Sequence, residues 1–385
     1  MIASLVTSLS ILVILYTALE PGLFSPIGIF YWIVLSVLAL LPLFFSERQN
    51  KIDRRGIWML ISFAIILIAH WLKTSDQLIS LLMYWVILIV LLQLKRYNFN
   101  PRFLLLVPII GVIIQSIIFL PDLIVALRTS NDASAFKGFF LNPNSCSIFA
   151  AVGYVSAYLS FKSKWKYLII LLCIANMFGG MSRNALLFVI IFHSYIYFQT
   201  RFKANKILLI TTLFLLLASG YMLLFVDVDS MLTFFGKGGS SGRAEQLIYL
   251  NEKYGLSFWG VGRDLISDEC QDLFLVSPHN MYFFTAIGMG YAYLLFYFYF
   301  VVYLFLSIKS LQAKAIWLAM QVYYFFEPVI AFEPSLSFLL PTLVVIGIEN
   351  LYSRESLKND ICLDTSIKRN FHYQQCKPSS MLSHR

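Results

Sequence analysis

A series of long apolar runs is joined by connections that are alternately rich and poor in basic residues. Most of the 29 Lys and Arg residues lie in one alternate set of connections or in the C-terminal tail. Cytoplasmic loops of membrane proteins carry this excess of Lys and Arg. The pattern therefore predicts a multi-pass membrane protein and assigns the basic connections to the cytoplasm. These connections are 48–55, 95–102, 162–166, 201–206 and 309–314, followed by the tail.

The apolar runs predict about twelve transmembrane helices, with both termini in the cytoplasm. A helix needs about 20 apolar residues to cross a bilayer. The predicted spans are 3–19, 27–45, 57–72, 77–94, 103–120, 145–161, 165–180, 185–199, 207–226, 280–307, 315–332 and 336–352. We expect the first span to be a retained helix rather than a cleaved signal peptide, because no basic segment precedes it. The expected organisation is an all-α transmembrane domain over 1–352 and a disordered cytoplasmic tail over 353–385.

Two connections on the opposite, periplasmic side are long, namely 121–144 and 227–279. The second has the polar composition of a soluble segment and is inserted before the tenth predicted span. Within it, 242–254 predicts a short amphipathic helix, with Leu247, Ile248 and Leu250 available for its apolar face. The basic residues predicted on this side are Lys73, Arg128, Lys137, Arg183, Lys237, Arg243, Lys253 and Arg263.

Composition separates the chain from soluble proteins and from several functional classes. Charged residues make up 13% of the chain and the mean hydropathy is +0.77, whereas soluble domains carry roughly a quarter charged residues. The net charge of +9 lies mostly in predicted cytoplasmic loops, so membrane orientation explains it without nucleic acid. The sequence has no Walker-type phosphate loop and no His-Glu-x-x-His motif, and we expect no nucleotide, required metal or other cofactor.

Short polar motifs occur in a fixed order where predicted helices meet the periplasmic side. Phe140-Leu141-Asn142-Pro143-Asn144 precedes the sixth span, and Ser182-Arg183-Asn184 separates the seventh from the eighth. The long second loop then contributes the remaining motifs. They are Ser241-Gly242-Arg243, Gly260-Val261-Gly262-Arg263 and Pro278-His279-Asn280.

This arrangement resembles the O-antigen ligase/polymerase superfamily, which comprises integral-membrane glycosyltransferases. They take glycan from an undecaprenyl diphosphate carrier at the periplasmic face of the bacterial inner membrane. The resemblance covers roughly residues 130–310. The family's closing motif is His-Asn, nine residues and Gly, and here it is His279-Asn280 followed by Gly290. Tyr293 stands where the family has a second glycine. The resemblance implies a GT-C-like all-α membrane fold and metal-independent glycosyl transfer.

The chemistry of such a donor needs cations near the membrane surface. The planar, permanently charged guanidinium of arginine matches phosphate oxygens. We therefore interpret Arg183, Arg243 and Arg263 as candidate diphosphate-binding residues. Arg183 lies in a very short turn between two spans, where a charge is costly without a partner. The structural alternatives are an interfacial anchor for Arg183, a solvated charge for Arg243, and pairing of Arg263 with a neighbouring aspartate.

A sugar hydroxyl is a poor nucleophile at neutral pH, and a histidine can take its proton during attack. His279 is the candidate catalytic base, because it is the only histidine predicted on the periplasmic side. His70 and His193 fall within predicted spans, where packing is the simpler explanation. The alternative for His279 is a residue at a helix start that bonds to the backbone or to Asn280.

Weaker candidates for substrate binding are polar residues close to these motifs. They are Asn142, Asn144, Asn280 and Glu327. An Asn-Pro-Asn turn is equally consistent with a helix cap. Glu327 is equally consistent with local pairing at the end of a helix.

The sequence favours an O-antigen polymerase, which would transfer a growing glycan from undecaprenyl diphosphate to another lipid-linked repeat unit. Lipopolysaccharide or surface-polysaccharide biosynthesis would be its role, and a chain-length regulator could be a partner. The closest alternative is an O-antigen ligase that transfers the glycan to lipid A-core. A polysaccharide flippase or transporter is the alternative of another class, and twelve helices suit it. However, the polar residues of this chain concentrate at one face rather than along a transmembrane cavity.

Overall fold

A computed structural model describes residues 54–74, 76–94, 102–129, 134–140, 142–161, 163–202, 243–274, 280–327, 332 and 337–352. All regular secondary structure in these ranges is helical, as the all-α class requires. The helices are α1 (Arg54–Lys73), α2 (Leu78–Leu94), α3 (Arg102–Ile118), α4 (Leu120–Thr129), α5 (Pro143–Ser160), α6 (Trp165–Gly179), α7 (Arg183–Phe202), α8 (Arg243–Tyr254), α9 (Arg263–Phe274), α10 (Met281–Gly288), α11 (Tyr291–Ser307), α12 (Leu311–Tyr324) and α13 (Ser337–Tyr352).

One described helix, α1, is long and apolar enough to cross a bilayer by itself. Helices α3 and α4 would provide a second span if they are counted together, but they meet at an angle of 84°. Apolar segments of α2, α6, α11 and α13 are shorter. The described residues therefore contain one or two helices of membrane-spanning length, and the total of twelve stays a prediction. Spans 3–19, 27–45 and 207–226 and the tail 353–385 lie outside the described residues.

Three predicted segments differ in the structure. The tenth span, 280–307, is divided into α10 and α11 at Gly290, whose φ of +88° cannot continue a helix. The eleventh span was expected to reach 332, but α12 ends at Tyr324. A helix is disfavoured at Glu327, which precedes a proline in the sequence. The connection 121–144 begins as helix α4, in which Pro121 occupies the first turn and needs no N–H partner.

The predicted amphipathic helix is present as α8, and of its predicted apolar face Leu250 is buried but Ile248 is not. Gln246 and Leu250, one turn apart, are buried, whereas Ile248 is exposed. The second helix of this loop, α9, was not predicted. It begins after Gly262 and carries Asp264 in its first turn, where a negative charge is favourable.

Small residues allow α5 to pack closely against α3, α6 and α7. Ala150, Ala151 and Ala157 are buried along α5. A Cβ added at Gly153 would lie 3.2 Å from the Pro108 carbonyl oxygen of α3 and 3.4 Å from Cys173 Sγ of α6. Small residues permit such close approach between apolar helices. Helix α7 also packs along α12, which brings the start of α7 and the end of α12 to one part of the bundle.

Aromatic packing joins α1, α11 and α13 around Phe332, which is completely buried. Its ring centroid lies 5.0 Å from those of Phe63 and Phe300 and 5.7 Å from that of Phe338. Phe332 belongs to the connection between α12 and α13, so part of that connection enters the core. Ring contacts of this kind stabilise more than their buried area alone.

Large apolar side chains remain exposed along the outer faces of several helices. On α1 they recur every three or four residues, as expected for one helical face. They are Ile57, Trp58, Ile61, Ile65, Ile68 and Leu72. On α11 the exposed residues are Leu295, Phe298, Tyr299, Val302 and Leu306. Continuous apolar faces of this size are typical of surfaces that contact lipid or another protein.

Candidate active site

The loop before α9 docks onto the break between α10 and α11 through backbone hydrogen bonds. Val261 N–H donates to the Ile287 carbonyl at 3.0 Å, and Gly262 N–H donates to the Gly288 carbonyl at 3.0 Å. In the other direction, Tyr291 N–H donates to the Ser257 carbonyl at 3.1 Å. The two segments that the sequence analysis singled out, 260–263 and 280–290, are therefore in direct contact.

Two glycines make this contact feasible. Gly260 has a φ of +79° and Gly290 has a φ of +88°, and residues with a side chain rarely adopt this backbone conformation. A Cβ at Gly260 would lie 2.6 Å from the Met289 carbonyl carbon, and a Cβ at Gly290 would lie 2.5 Å from the Trp259 carbonyl carbon. Neither backbone segment could approach the other if its glycine carried a side chain. The glycine of the closing motif thus serves the docking of this loop.

Tyr293 stands where the O-antigen ligase/polymerase motif has its second glycine, and it packs in the core beside the break between α10 and α11. It is fully buried, and its ring centroid lies 5.3 Å from that of Phe63 and 6.4 Å from that of Tyr84. The departure from the family pattern therefore falls on packing between α11, α1 and α2.

Asp76, in the connection between α1 and α2, caps the first turn of α9. Its carboxylate accepts the backbone N–H of Arg263 at 2.9 Å and that of Asp264 at 3.1 Å. The first N–H groups of a helix have no partner within the helix, so a carboxylate there satisfies them and complements the helix dipole. A distant segment thereby holds the N-terminus of α9 and the backbone of Arg263.

His70, in the last turn of α1, joins Asp76 to the docked loop. Its Nε2 lies 2.7 Å from Asp76 Oδ2, and its Nδ1 lies 2.6 Å from the Trp259 carbonyl oxygen. Both atoms that face the ring are hydrogen-bond acceptors, and an imidazole donates from both nitrogens only when it is protonated. In that form the fully buried His70 and the buried Asp76 make an ion pair.

The surroundings of Asp76 favour its charged form. Burial raises the pKa of this carboxyl, but hydrogen bonds from His70 and from the backbone N–H groups of Arg263 and Asp264 outweigh burial. The pKa of Asp76 is consequently lowered from its ordinary value. Hydrogen bonds to the ionised form are the general cause of such a decrease.

Arg263 reaches from the start of α9 to α2. Its guanidinium donates from Nη1 to the hydroxyl of Tyr84, and its carbon Cζ lies 6.0 Å from the centre of the Tyr84 ring. Nε lies 3.6 Å from Asp264 Oδ1, and the side chain is 28% exposed. The neighbouring-aspartate alternative considered for Arg263 is thus present, together with a tyrosine contact that the sequence did not indicate.

The turn before α7 meets the end of α12. Asn184 Nδ2 donates to Glu327 Oε1 at 2.7 Å, and Glu327 is buried. Arg183, the first residue of α7, is half-buried beside Asn184. The partners of this hydrogen bond are 143 residues apart in the chain. The bond therefore brings Glu327 to the turn that contains Arg183.

The start of α5 packs against the same turn. A Cβ at Gly180 would lie 2.9 Å from the Pro143 carbonyl oxygen. Asn142 is the N-cap of α5, and its side chain accepts the Asn144 N–H at 2.8 Å. Asn142 is exposed and Asn144 is half-buried. The cap that the Asn-Pro-Asn pattern allowed is thus observed, and both residues lie near the Arg183 turn.

Three candidates remain, at or before the starts of α8 and α10. Asn280 is buried and is the N-cap of α10, where its side chain accepts the Phe283 N–H at 3.1 Å. Arg243 is the first residue of α8. His279 and the side chain of Arg243 lie outside what the structure describes. Their roles stay predictions.

A second set of contacts ties α8 to α9. Glu269 accepts hydrogen bonds from Tyr249, Tyr254 and Lys253, which also forms an ion pair with it. Burial raises the pKa of Glu269, but the hydrogen bonds led by Lys253 outweigh this and lower it from its ordinary value. The loop helices therefore form a unit that is anchored to α1 and α2 through α9.

Sequence reasoning missed His70, Asp76 and Tyr84 as neighbours of the candidate residues. His70 lies within α1, the helix predicted as the span 57–72, and from its last turn it also contacts the loop. The available signal was the short polar connection after that helix, in which an aspartate follows the histidine at close spacing. Within the described ranges, no group of three or more His, Cys, Asp or Glu residues could hold a metal ion.

Comparisons of the chain with known protein families, with curated proteins and with solved structures gave no match.

The described site therefore has two parts. One is the α9 junction, which we define as His70, Asp76, Tyr84, Trp259 and Arg263. The other is the α7 turn, which we define as Ser182, Arg183, Asn184 and Glu327. Each part combines an arginine with a buried carboxylate that accepts a hydrogen bond from a side chain or the backbone. In both parts an arginine is therefore the first residue of a helix, and the buried carboxylate near it has a hydrogen-bond donor.

Proposed function

We propose that this chain is a metal-independent, membrane-bound glycosyltransferase of the O-antigen polymerase type. It transfers glycan from undecaprenyl diphosphate to another lipid-linked repeat unit at the periplasmic face of the inner membrane. The observation that carries the proposal is the contact between 260–263 and 280–290. These are the segments on which the resemblance to the O-antigen ligase/polymerase superfamily depends, and backbone hydrogen bonds join them.

The setting in a membrane is supported by sequence and packing together. Basic residues concentrate in alternate connections, and apolar side chains are exposed along α1 and α11. Exposed apolar faces are costly in water and favourable in lipid. On the proposed topology the connections 74–77, 181–184 and 227–279 face the periplasm, which brings the α9 junction and the α7 turn to one side.

The proposed reaction uses arginines to hold phosphate and a histidine to move a proton. The acceptor hydroxyl oxygen attacks the anomeric carbon of the donor, and the bond from that carbon to the phosphate oxygen breaks. The electron pair leaves with the undecaprenyl diphosphate, while His279 takes the hydroxyl proton. Arg183, Arg243 and Arg263 stabilise the charge that develops on the leaving group.

Arg263 suits this role because its position is fixed. Asp76 holds its backbone, and the Tyr84 hydroxyl and ring hold its guanidinium, yet part of the side chain remains exposed. A cation that is positioned before the substrate arrives loses little freedom when it binds phosphate. Arg183 is the first residue of α7 and directly precedes Asn184. A sugar hydroxyl could replace or join the hydrogen bond between Asn184 and Glu327 there.

Transfer by the purified protein tests the enzyme class. The full chain in detergent, given a labelled undecaprenyl-diphosphate glycan and an acceptor, is expected to form an elongated product without added metal. His279→Ala should abolish the product. Arg183→Lys should reduce the rate by about tenfold or more, because lysine retains the charge but loses the bidentate geometry. Arg201→Lys is the matched control at the other, exposed end of α7 and should be unaffected.

If the wild-type chain forms no product but moves glycan across the membrane of reconstituted vesicles, the enzyme assignment is wrong and the protein is a transporter. Unchanged turnover in His279→Ala would remove the base assignment alone.

Genetic complementation distinguishes polymerase from ligase, since both would use the same donor. Two sizeable periplasmic connections, 121–144 and 227–279, favour a surface that seats a second lipid-linked glycan. We expect the gene to restore chain extension in a polymerase-null strain. If it instead restores glycan attachment to lipid A-core in a ligase-null strain, the acceptor assignment is wrong and the donor chemistry stands.

A further inference from the structure

We propose that His70 and Asp76 are positioning residues for Arg263: together they latch the N-terminus of α9, and with it this arginine, onto α1 and α2. The inference rests on the proposed function, because the reaction supplies the reason to hold Arg263. Neither residue is assigned contact with substrate. They act through the backbone of Arg263 and through the loop that precedes it.

The first step is the origin of the cap of α9. The two N–H groups at its start, those of Arg263 and Asp264, are both accepted by Asp76. Asp76 lies 187 residues earlier in the chain than Arg263. The direction of the first turn of α9 therefore depends on the connection between α1 and α2, and a change at Asp76 releases the backbone from which the Arg263 side chain projects.

The second step is the double role of His70. Through Nδ1 it holds the Trp259 carbonyl on the loop before α9, and through Nε2 it holds Asp76, which caps the helix itself. One imidazole thus fixes two points on either side of the turn at Gly260 and Gly262. Its complete burial in the last turn of α1 ties both points to a helix of membrane-spanning length.

The third step is the charge of the latch. A neutral imidazole has one N–H and can serve only one of the two acceptors, so both hydrogen bonds require protonated His70. The neighbouring charged or titratable groups with contacts to the pair lie on α9 and α2. Arg263 and Asp264 contact Asp76 through their backbone N–H groups, and Tyr84 contacts the Arg263 side chain. Without that proton Asp76 would have one donor fewer, and the latch would be weaker.

Replacement of Asp76 by asparagine offers a neutral version of two of these three hydrogen bonds. In Asp76→Asn the amide nitrogen, in the position of Oδ2, can donate to Nε2 of a neutral His70, and the amide oxygen, in the position of Oδ1, still accepts the Asp264 N–H. The Arg263 N–H, which Oδ2 accepts in the wild type, loses its acceptor. His70 then keeps its Nδ1 hydrogen for the Trp259 carbonyl. This variant should keep the contacts to His70 and Asp264 and lose the contact to the Arg263 N–H. Asp76→Ala should lose the latch itself.

The test combines amide hydrogen exchange with glycan transfer on the full chain in detergent. Exchange at Arg263 and Asp264, expressed as protection factors, reports the latch without reference to activity. Asp76→Ala should reduce protection by about tenfold or more and should reduce transfer mainly by raising KM for the donor. Asp76→Asn should keep protection at Asp264 and lose it at Arg263, because only the Asp264 N–H keeps an acceptor. Asp272→Ala, at an exposed position on α9, is the control and should match the wild type.

The outcomes separate the latch from the reaction. Wild-type protection at Arg263 and Asp264 in Asp76→Ala, or wild-type protection at Arg263 in Asp76→Asn, would overturn the latch. Loss of protection in Asp76→Ala with unchanged KM and kcat would overturn the positioning of Arg263 for transfer. If the wild type makes no product while the exchange results are as expected, the proposed function fails and the positioning role falls with it, whereas the latch remains.

Discussion

Helices α9 and α12 both begin where a carboxylate from elsewhere in the chain accepts backbone N–H groups. Asp76 accepts those of Arg263 and Asp264 in the first turn of α9. Glu349, near the end of α13, accepts those of Lys309 at 3.0 Å and Ser310 at 2.9 Å, just before α12. On the proposed topology the first junction faces the periplasm and the second faces the cytoplasm.

The two junctions differ in what else holds the helix start. The side chain of Ser310 caps α12 locally by accepting the Ala313 N–H at 3.3 Å, so Glu349 adds to an existing cap. At α9, Asp76 itself accepts the first two helical N–H groups, and His70 supplies the opposite charge. A helix with its own cap is a stable part of the bundle. A helix whose cap lies on another segment depends on that contact, as a loop that serves a site would.

The largest expected difference between the junctions is in stability. Asp76→Ala should lower the free energy of unfolding by about 3–5 kcal/mol, because it breaks a buried ion pair and leaves His70 without its partner. Glu349→Ala should cost about 1–2 kcal/mol, the range for loss of a helix cap. Unfolding in detergent, followed by circular dichroism, measures both values.

Asp272→Ala, at an exposed position of α9, should change stability by less than about 0.5 kcal/mol. Equal losses in Asp76→Ala and Glu349→Ala would show that the charge of His70 adds nothing at the α9 junction, and the contrast between the two ends would disappear.

A glycine substitution sharpens the same comparison on the loop side of α9. Gly290→Ala should cost about 2–5 kcal/mol, because a positive φ is strained for alanine and the new Cβ meets the backbone at Trp259. Gly255→Ala is the matched control. Its φ is +62°, but the nearest atom to an added Cβ, the Asn251 carbonyl oxygen, is 4.0 Å away. It should cost only the strain, about 1–2 kcal/mol.

Thermal unfolding of both glycine variants gives the difference, and limited proteolysis of the loop before α9 locates it. If Gly290→Ala is no worse than Gly255→Ala, then the loop does not dock closely on the break between α10 and α11.

A third buried carboxylate, Glu327, provides an intermediate case. Asn184→Ala removes a side-chain N–H donor to Glu327 and should cost about 1.5–3 kcal/mol, the range for hydrogen bonds to charged groups. Glu327→Gln retains an oxygen that can accept from Asn184 and should cost less. Stability of the two variants in detergent decides this order. A larger loss in Glu327→Gln would mean that the charge of Glu327, rather than the Asn184 contact, stabilises the α7 turn.

The parts of the fold with regular local patterns were accessible from the sequence. The apolar runs located α1, α2, α5, α6, α7 and α13, and the amphipathic pattern located α8. The break at Gly290 was not foreseen, because a continuous apolar run from 281 to 307 carries no sign that another backbone segment will dock there. The need for glycine at position 290 arises only from its close contact with the backbone of Gly260.

The same limit applies to the candidate site. The motifs indicated Arg183, Arg263, Asn280 and Glu327 as residues of one side, but periodicity reports only which face of its own helix a residue occupies. The His70–Asp76 pair joins α1 to a helix 187 residues away, and the Asn184–Glu327 bond spans 143 residues. Such contacts follow from tertiary packing. His70 was therefore assigned to the core of a span, although its ring completes the α9 junction.

The smallest expected effect is a pH dependence confined to the α9 junction. The pKa of Asp76 is lowered in the folded protein, because hydrogen bonds from His70 and the start of α9 outweigh the effect of burial. Asp76 therefore contributes stability that is fully present above its unfolded pKa, about 3.9, and is lost as pH falls through the folded value. The stability of the wild type relative to Asp76→Asn should accordingly shrink as the medium is acidified below about pH 4. Asp272→Asn, at an exposed position of the same helix, is the control variant for this measurement. A wild-type advantage that grows toward acid pH would mean that protonated Asp76 is the form the fold prefers, and the ion pair with His70 would then have to be replaced by a neutral hydrogen bond.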